Sequence, residues 1–246
     1  MATARELSRN RIVDTASESY PSVGQIISEL VHSVRERDML TYDHSRRVAI
    51  YASRIARQTG WQRQDMRDLA YAGLVHDLGK TWIQNAVLHK PSALSTDERE
   101  QMQRHPVIAA RILQIYAAPE ALVENVLHHH EAYDGHGYPS GLTGEAIPLG
   151  ARILAIADVF DALTSARPYR EAMTAEYTRD WIAERAGSHF DPHLVAAFVE
   201  LLANRSDFLV LPRVETLTPI ETPDGWRENT SPKTTRKSLP VGRARR

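Results

Sequence analysis

The stretch HHHEAYDGHGYP, from His128 to Pro139, sets three consecutive histidines against a bend rich in glycine and proline. It lies far from either terminus, where a purification tag would sit. Neutral imidazole is the commonest protein ligand for metal ions, so the question is what other ligands the chain brings to it. His76 and Asp77 stand together in LAYAGLVHDLGK, on the face of Leu69 and Gly73. His44 falls on the stripe of Val48, Ala52 and Ile55, and His105 is spaced helically from Met102, Ala109 and Ile112. His129 shares a face with Leu122 and Val126, His130 with Val123 and Leu127, and Asp158 lies between Leu154 and Asp161.

One histidine on an apolar stripe reads as a core residue bonded to a carbonyl. Five imidazoles and two carboxylates turned into one interior are different. Uncompensated, their burial is very unfavourable, whereas divalent cations neutralise and coordinate them. Seven nitrogen and oxygen ligands without sulfur exceed one tetrahedral zinc site and suit two octahedral ions. Fe or Mn is expected, with Zn, Ni or Co as alternatives, and Asp77 is the natural bridging ligand.

The elements that must position these residues read as helices almost throughout. Val23, Ile26, Ile27, Leu30, Val31 and Val34 form one amphipathic stripe between Ser22 and Arg37. Further helices are expected over Tyr42–Thr59, Gln64–Asp77 with its end near Gly79, Thr96–Ile115, Pro119–Glu131, Leu149–Thr164 and Ala175–Ala186. A last helix starts at Asp191-Pro192, an N-cap followed by proline, and buries Val195, Phe198, Val199 and Leu202. The expected fold is all-α, a compact helical bundle around a buried binuclear metal site. Its parts are an N-terminal helical segment at 1–40, a core domain at 41–204 and a disordered basic tail at 205–246. The stripe at 22–37 serves either as a homodimer surface or as a cap on the bundle.

Composition removes several classes of function. The 246 residues are 42% hydrophobic, enough for a substantial core, and a formal net charge of -1 gives no general attraction to nucleic acid or anionic lipid. No cysteine is present, which excludes thiolate zinc sites and cysteine nucleophiles. The charged start MATARELSRNRIVD lacks the apolar core of a signal peptide, and no apolar run approaches the roughly 18 residues of a membrane span. A cytoplasmic protein with no nucleic-acid or membrane partner is expected.

In TYDHSRRV, HDLGK, HHHEAYDGHGYPSGL, IPLGARILAIADVFDALTSARPYR and GSHFDP, in that order, the chain resembles the HD-GYP family of metal-dependent phosphohydrolases over roughly Thr41 to Leu202. An isolated His-Asp pair would mean little; the ordered set is specific. The family hydrolyses cyclic di-GMP. The resemblance implies that His44, His76, Asp77, His105, His129, His130 and Asp158 are metal ligands, the same seven that helical phase turns inward. It implies that Lys80, Arg167 and Arg170 hold substrate phosphates, with Asp77 and Lys80 the catalytic pair, as suits cations beside metal ligands. Gly137, Tyr138 and Pro139 would shape the entrance and meet a partner, in this family a diguanylate cyclase of the GGDEF type. His128 falls outside the ligand set, and Asp161 is placed to orient a ligand or water. Two positions depart from the pattern. His136 stands where members carry a small residue, either exposed or touching substrate. Leu40 stands where some members carry a glutamate that helps hold a third ion, so two ions per chain are expected.

Because a cation lowers the pKa of water from about 15.7 to near 7, no serine or cysteine nucleophile is needed for phosphodiester hydrolysis to pGpG or GMP. The competing readings are an HD nucleotidase acting on another nucleotide, a cyclic-dinucleotide sensor, and a scaffold for a diguanylate cyclase. A sensor would be expected to have lost ligands, and none is missing.

Overall fold

The computed structural model describes residues 22–166, 170–204 and 208. Ser22 opens the first helix, α1 (Val23–Arg37), with a capping box to Gln25. Asp38 ends α1 and caps the next, its Oδ1 accepting the amide of Leu40 at 2.9 Å. The helices that follow are α2 (Met39–Gln58), α3 (Arg63–Val75), α4 (Asn85–Leu88), α5 (Thr96–Met102), α6 (His105–Ile115), α7 (Glu120–Leu127), α8 (Leu149–Thr164), α9 (Ala175–Ala183) and α10 (Pro192–Asn204). Short 3₁₀ turns occupy Leu78–Trp82 and Gly144–Ala146. Among the described residues there is no strand; Ala186 and Phe190 form an isolated bridge. The fold is all-α.

α8 explains the layout. LGARILAIADVFDALT is apolar nearly all round, and such a helix must be surrounded. Ile153, Leu154, Ile156, Ala157 and Phe160 are fully buried, with α2, α7, α9, α10 and α3 packed against the helix. α2 lies across α3, and α6 joins α7 to the first 3₁₀ turn.

Several expected boundaries move, each for a physical reason. Thr96–Ile115 is two helices, because Pro106 sits in the first turn of α6 and cannot donate back to Met102 as an unbroken helix would require. α3 ends at Val75 and α7 at Leu127, so His76, Asp77, His129 and His130 lie just past helix ends. Gly79 does not cap α3; it lies in the 3₁₀ turn, where a Cβ would stand 2.0 Å from the carbonyl oxygen of His105. The division at 40/41 falls inside α2, and α1 belongs to the same core. Its stripe of Ile26, Ile27, Leu30 and Val34 is buried against α2, α3 and the first 3₁₀ turn, so it caps the bundle. The division at 204/205 falls short as well, since Phe208 is buried among Tyr51, Phe160 and Phe198. The rest of the expected basic tail lies outside the described residues.

Candidate metal centre

All seven histidine and aspartate side chains converge. His44 comes from α2, His76 and Asp77 from the turn after α3, His105 from the start of α6, His129 and His130 from the turn after α7, and Asp158 from α8. They form three overlapping triads, His44/His76/Asp77, His76/His129/Asp158 and His105/His129/His130, each with its ligand atoms within 4.8 Å of one another. His44, His76, Asp77, His105 and His129 are buried; His130 and Asp158 are partly so.

Backbone carbonyls set the ring tautomers. Nδ1 of His76 donates to Gly73 O at 2.8 Å, Nδ1 of His105 to Met102 O at 2.8 Å, and Nδ1 of His129 to Val126 O at 2.7 Å. Each carbonyl belongs to the last turn of a helix, α3, α5 or α7, where the backbone leaves acceptors unused. A carbonyl only accepts, so Nδ1 carries the proton in all three rings, and Nε2 keeps its lone pair when the ring is neutral. Burial first, then neighbouring positive charge, holds these rings neutral: His105 is lowered to about 3, His129 well below its ordinary value, and His76 is lowered by burial despite Asp77. His130 is lowered to about 4, mainly by burial.

The consequence is a confrontation of lone pairs. Nε2 of His105 and Nε2 of His129 lie 3.4 Å apart with no proton between them. Nε2 of His76 and Oδ1 of Asp77 are buried without a hydrogen-bond partner. Asp77 directs Oδ2 toward His44 and His76, at 3.7 and 3.5 Å, and Oδ1 toward Nε2 of His105 at 3.3 Å. Orphaned acceptors facing one another in a protein interior fit divalent cations, which accept lone pairs from all of them.

His44 differs from the other rings. Its Nδ1 lies 2.7 Å from Asp161 Oδ2 and its Nε2 3.0 Å from Asp158 Oδ1. Burial alone would lower it, but the hydrogen bonds to Asp158 and Asp161 prevail and raise it to about 9. Burial likewise opposes ionisation of Asp77 and Asp158. Lys80 and the imidazoles hold Asp77 well below the usual carboxylate range, and the His44 hydrogen bond does the same for Asp158. Without a cation, His44 therefore carries the charge that balances part of the site.

Lys80 Nζ lies 2.6 Å from Asp77 Oδ2 with its side chain a quarter exposed, so it reaches from the ligand set toward solvent. Arg170 is partly buried and donates to Ala162 O at the end of α8; Arg167 lies outside the described residues. Gly137 fits because a Cβ there would meet the Ala132 amide nitrogen at 2.1 Å, which seats the loop directly on its own start. Tyr138 stacks on His130 at 4.9 Å and 28°, while Pro139 is exposed. His136 projects into solvent, its side chain 88% exposed. His128 is buried between Glu124 and Glu131, each 3.3 Å away, and does not join the triads.

The parts played by two residues are not legible in residue type alone. Arg47 grips Asp161 through Nε at 2.6 Å and Nη2 at 3.0 Å, bracing the carboxylate that holds His44. Its signal was available: Arg47 follows His44 by three residues, as Asp161 follows Asp158, so both pairs share helix faces. Glu131 is buried beneath the loop, and nothing in its spacing marks it.

The all-α bundle, with imidazoles and carboxylates gathered at its helix ends, has the HD-domain fold. The chain belongs to the HD domain family, whose model matches residues 29–194. It is 40% identical over 193 residues to the cyclic di-GMP phosphodiesterase response regulator RpfG of Xanthomonas campestris, covering 77% of this chain and 50% of that protein. It is 36% identical over 178 residues to 3'3'-cGAMP-specific phosphodiesterase 2 of Vibrio cholerae, covering 72% of this chain and 34% of that protein. The chain thus spans half or less of the length of these two relatives. Among solved structures, the cyclic GMP-AMP specific phosphodiesterase V-cGAP3 of V. cholerae shares the fold with a TM-score of 0.56, at 24% identity, over 75% of this chain and 49% of that one. Among the described residues, no helix is long and apolar enough to cross a membrane.

Proposed function

We propose that this protein is a cytoplasmic, metal-dependent phosphodiesterase that hydrolyses cyclic di-GMP to pGpG or GMP. The observation that carries the reading is the set of unprotonated Nε2 atoms and carboxylate oxygens turned on one another, with His76 Nε2 and Asp77 Oδ1 buried and unpaired. His44, His76, Asp77, His105, His129, His130 and Asp158 would hold two divalent ions, Fe or Mn first, with Asp77 shared because its two oxygens face different rings. Such ions, when bound, supply Lewis acidity and lower the pKa of water.

The chain's own residues do the rest. Hydrolysis adds water to phosphorus and breaks the P–O3′ bond, and the departing oxygen takes up a proton. Lys80, held on Asp77 but reaching solvent, would neutralise a phosphate oxygen or supply that proton. Arg170 and Arg167 would grip the phosphates, a task suited to guanidinium groups. Tyr138 on His130 would border the base or ribose. The loop at Gly137–Pro139 would also receive a diguanylate cyclase, a role checked by pull-down with a metal-ligand variant. Leu40 is 62% exposed and offers no ligand atom, so two ions per chain are expected.

The test is turnover of cyclic di-GMP by protein reconstituted anaerobically with Fe, Mn, Co, Ni or Zn, with product identification and elemental analysis. Asp77→Ala should lower turnover by more than about a hundredfold, beyond what losing a group that merely supports a ligand costs, while leaving helical content intact. Turnover that survives thorough chelation, or none with any of these metals, would refute the proposal. Three tightly held ions would refute the metal count. A second reading, hydrolysis of 3'3'-cGAMP, is favoured by the 36% identity to the Vibrio enzyme named for that substrate. Assaying both dinucleotides side by side, with nucleoside triphosphates as the control for a general nucleotidase, separates these.

A further inference from the structure

We infer that Glu131, braced by His128, is a positioning residue that latches the loop bordering the metal centre and so sets the surface on which a cyclic dinucleotide rests. The second half of this statement rests on the proposed function; the latch itself does not.

Glu131 is one residue past His130, and its side chain is fully buried. A buried carboxylate must be compensated, and the partners here are specific. Oε1 accepts the Ser140 amide at 2.8 Å and Oε2 the Leu142 amide at 3.2 Å. One carboxylate thus holds two of the first three backbone donors that follow Gly137-Tyr138-Pro139. The near side of the loop is closed by backbone alone: the Tyr138 amide donates to His130 O at 3.1 Å, and a Cβ on Gly137 would fall 2.4 Å from Glu131 Cα. The loop is therefore wound around Glu131, and Tyr138 is left stacked on the ring of His130.

His128 explains the third histidine of the run. Its Nδ1 lies 3.3 Å from Glu131 Oε1 and its Nε2 3.3 Å from Glu124 Oε2. The ring ties the buried carboxylate to α7, the helix that also ends at the His129–His130 pair. Loop and metal ligands are thereby referenced to the same helix end.

Amide hydrogen exchange followed by NMR reads the latch without turnover. Glu131→Gln places an amide nitrogen where one of the two oxygens now faces an N–H, so protection should fall by roughly tenfold or more at Ser140 or at Leu142, the scale of a hydrogen bond to a charged acceptor, and by less at the other, which keeps a neutral acceptor. The KM for cyclic di-GMP should rise by about tenfold on the same grounds, with a smaller change in kcat and unchanged metal content, since all seven ligands remain. His128→Ala should move both quantities the same way by less; if Glu131→Gln fails to fold, His128→Ala carries the test. Unchanged protection, or lost protection with unchanged KM, overturns the inference. A wild type that turns over no cyclic dinucleotide refutes the proposed function instead, and amide exchange still decides the latch.

Discussion

Burial lowers every imidazole of the site, but at His44 the hydrogen bonds to Asp158 and Asp161 reverse the outcome, and the difference fixes how the metal-free protein answers to pH. His105 and His130 are lowered to about 3 and about 4. In the unfolded chain these rings take protons near pH 6.5, whereas in the fold they resist until far more acid conditions. Stability therefore falls as pH drops from about 6.5 toward 4. His44 is raised to about 9, so its contribution is complete below its unfolded value and is lost as pH rises from about 6.5 through 9. The chelated protein should show its highest Tm near pH 6 to 7, with the steeper fall on the acid side, where more rings oppose protonation. A Tm in chelator that rises steadily from pH 7 to 9 would contradict the pairing of His44 with Asp158 and Asp161. The same geometry predicts that metal binding at pH 7.5 releases about one proton per chain from His44, because a ligand nitrogen must be bare. A dilute indicator buffer measures it, and no release would mean that His44 is not a ligand.

At the scale of elements, what matters is where helices stop. α3, α5 and α7 each end so that a last-turn carbonyl receives the Nδ1–H of a histidine three residues on. Pro106 contributes by breaking the helix after α5, which leaves Met102 O free for His105. Gly79 lets the 3₁₀ turn pass against the first residue of α6. Gly79→Ala would drive a Cβ to 2.0 Å from His105 O, and backbone cannot step aside as a side chain can. Overpacking of this kind costs about 1–3 kcal/mol, and at roughly 2–4 °C per kcal/mol for a chain of this size the Tm should drop by several degrees. Metal affinity should fall with it, because His105 must shift; titration of metal-free protein checks this, and wild-type affinity with wild-type Tm would remove the close approach from the account. The sequence made the type and order of most helices legible, and it singled out the seven side chains that the fold brings together. Helical phase did so partly by accident, since His76, Asp77, His129 and His130 stand past the helix ends, where their faces still follow the preceding turn. The carbonyls that orient the rings were illegible, because backbone acceptors leave no mark in residue type. The parts of Arg47 and Glu131 were illegible because a charged residue's role depends on a buried partner that its own type does not reveal.

For the whole molecule, the question is where the cooperative unit ends. Periodicity stops at Asn204, and beyond it Thr, Pro, Ser, Gly and charged residues dominate, yet Phe208 is 1% exposed. Its ring stacks on Tyr51 at 5.2 Å and meets Phe160 at 5.6 Å and Phe198 at 6.0 Å, joining α2, α8 and α10 at one point. Arg54 of α2 donates to the Phe208 carbonyl and covers the ring at 5.8 Å. Phe208 opens the run Phe-Leu-Val-Leu, which is too short to show a helical period before Pro212, so periodicity alone puts the boundary too early. Truncating such a ring to alanine costs about 3–5 kcal/mol when its surroundings are fixed. With the ring against Tyr51, Phe160 and Phe198, the lower end of that range is the minimum expected here. Phe208→Ala should therefore lower stability by at least about 3 kcal/mol in urea denaturation, and a chain ending at Asn204 should lose about as much. A chain ending at Asn229 keeps Phe208 and every candidate ligand, and it should match the full chain in stability, metal content and turnover. Asp158 and Asp161 sit on the same helix as Phe160, so loosening the aromatic cluster should weaken metal binding in the shorter chain even though no ligand is removed. If Phe208→Ala and the chain ending at Asn204 melt like the full protein, the bundle closes at α10 after all and the aromatic contact is incidental. If the chain ending at Asn229 loses turnover while keeping its metal, residues past the core reach the site or its assembly.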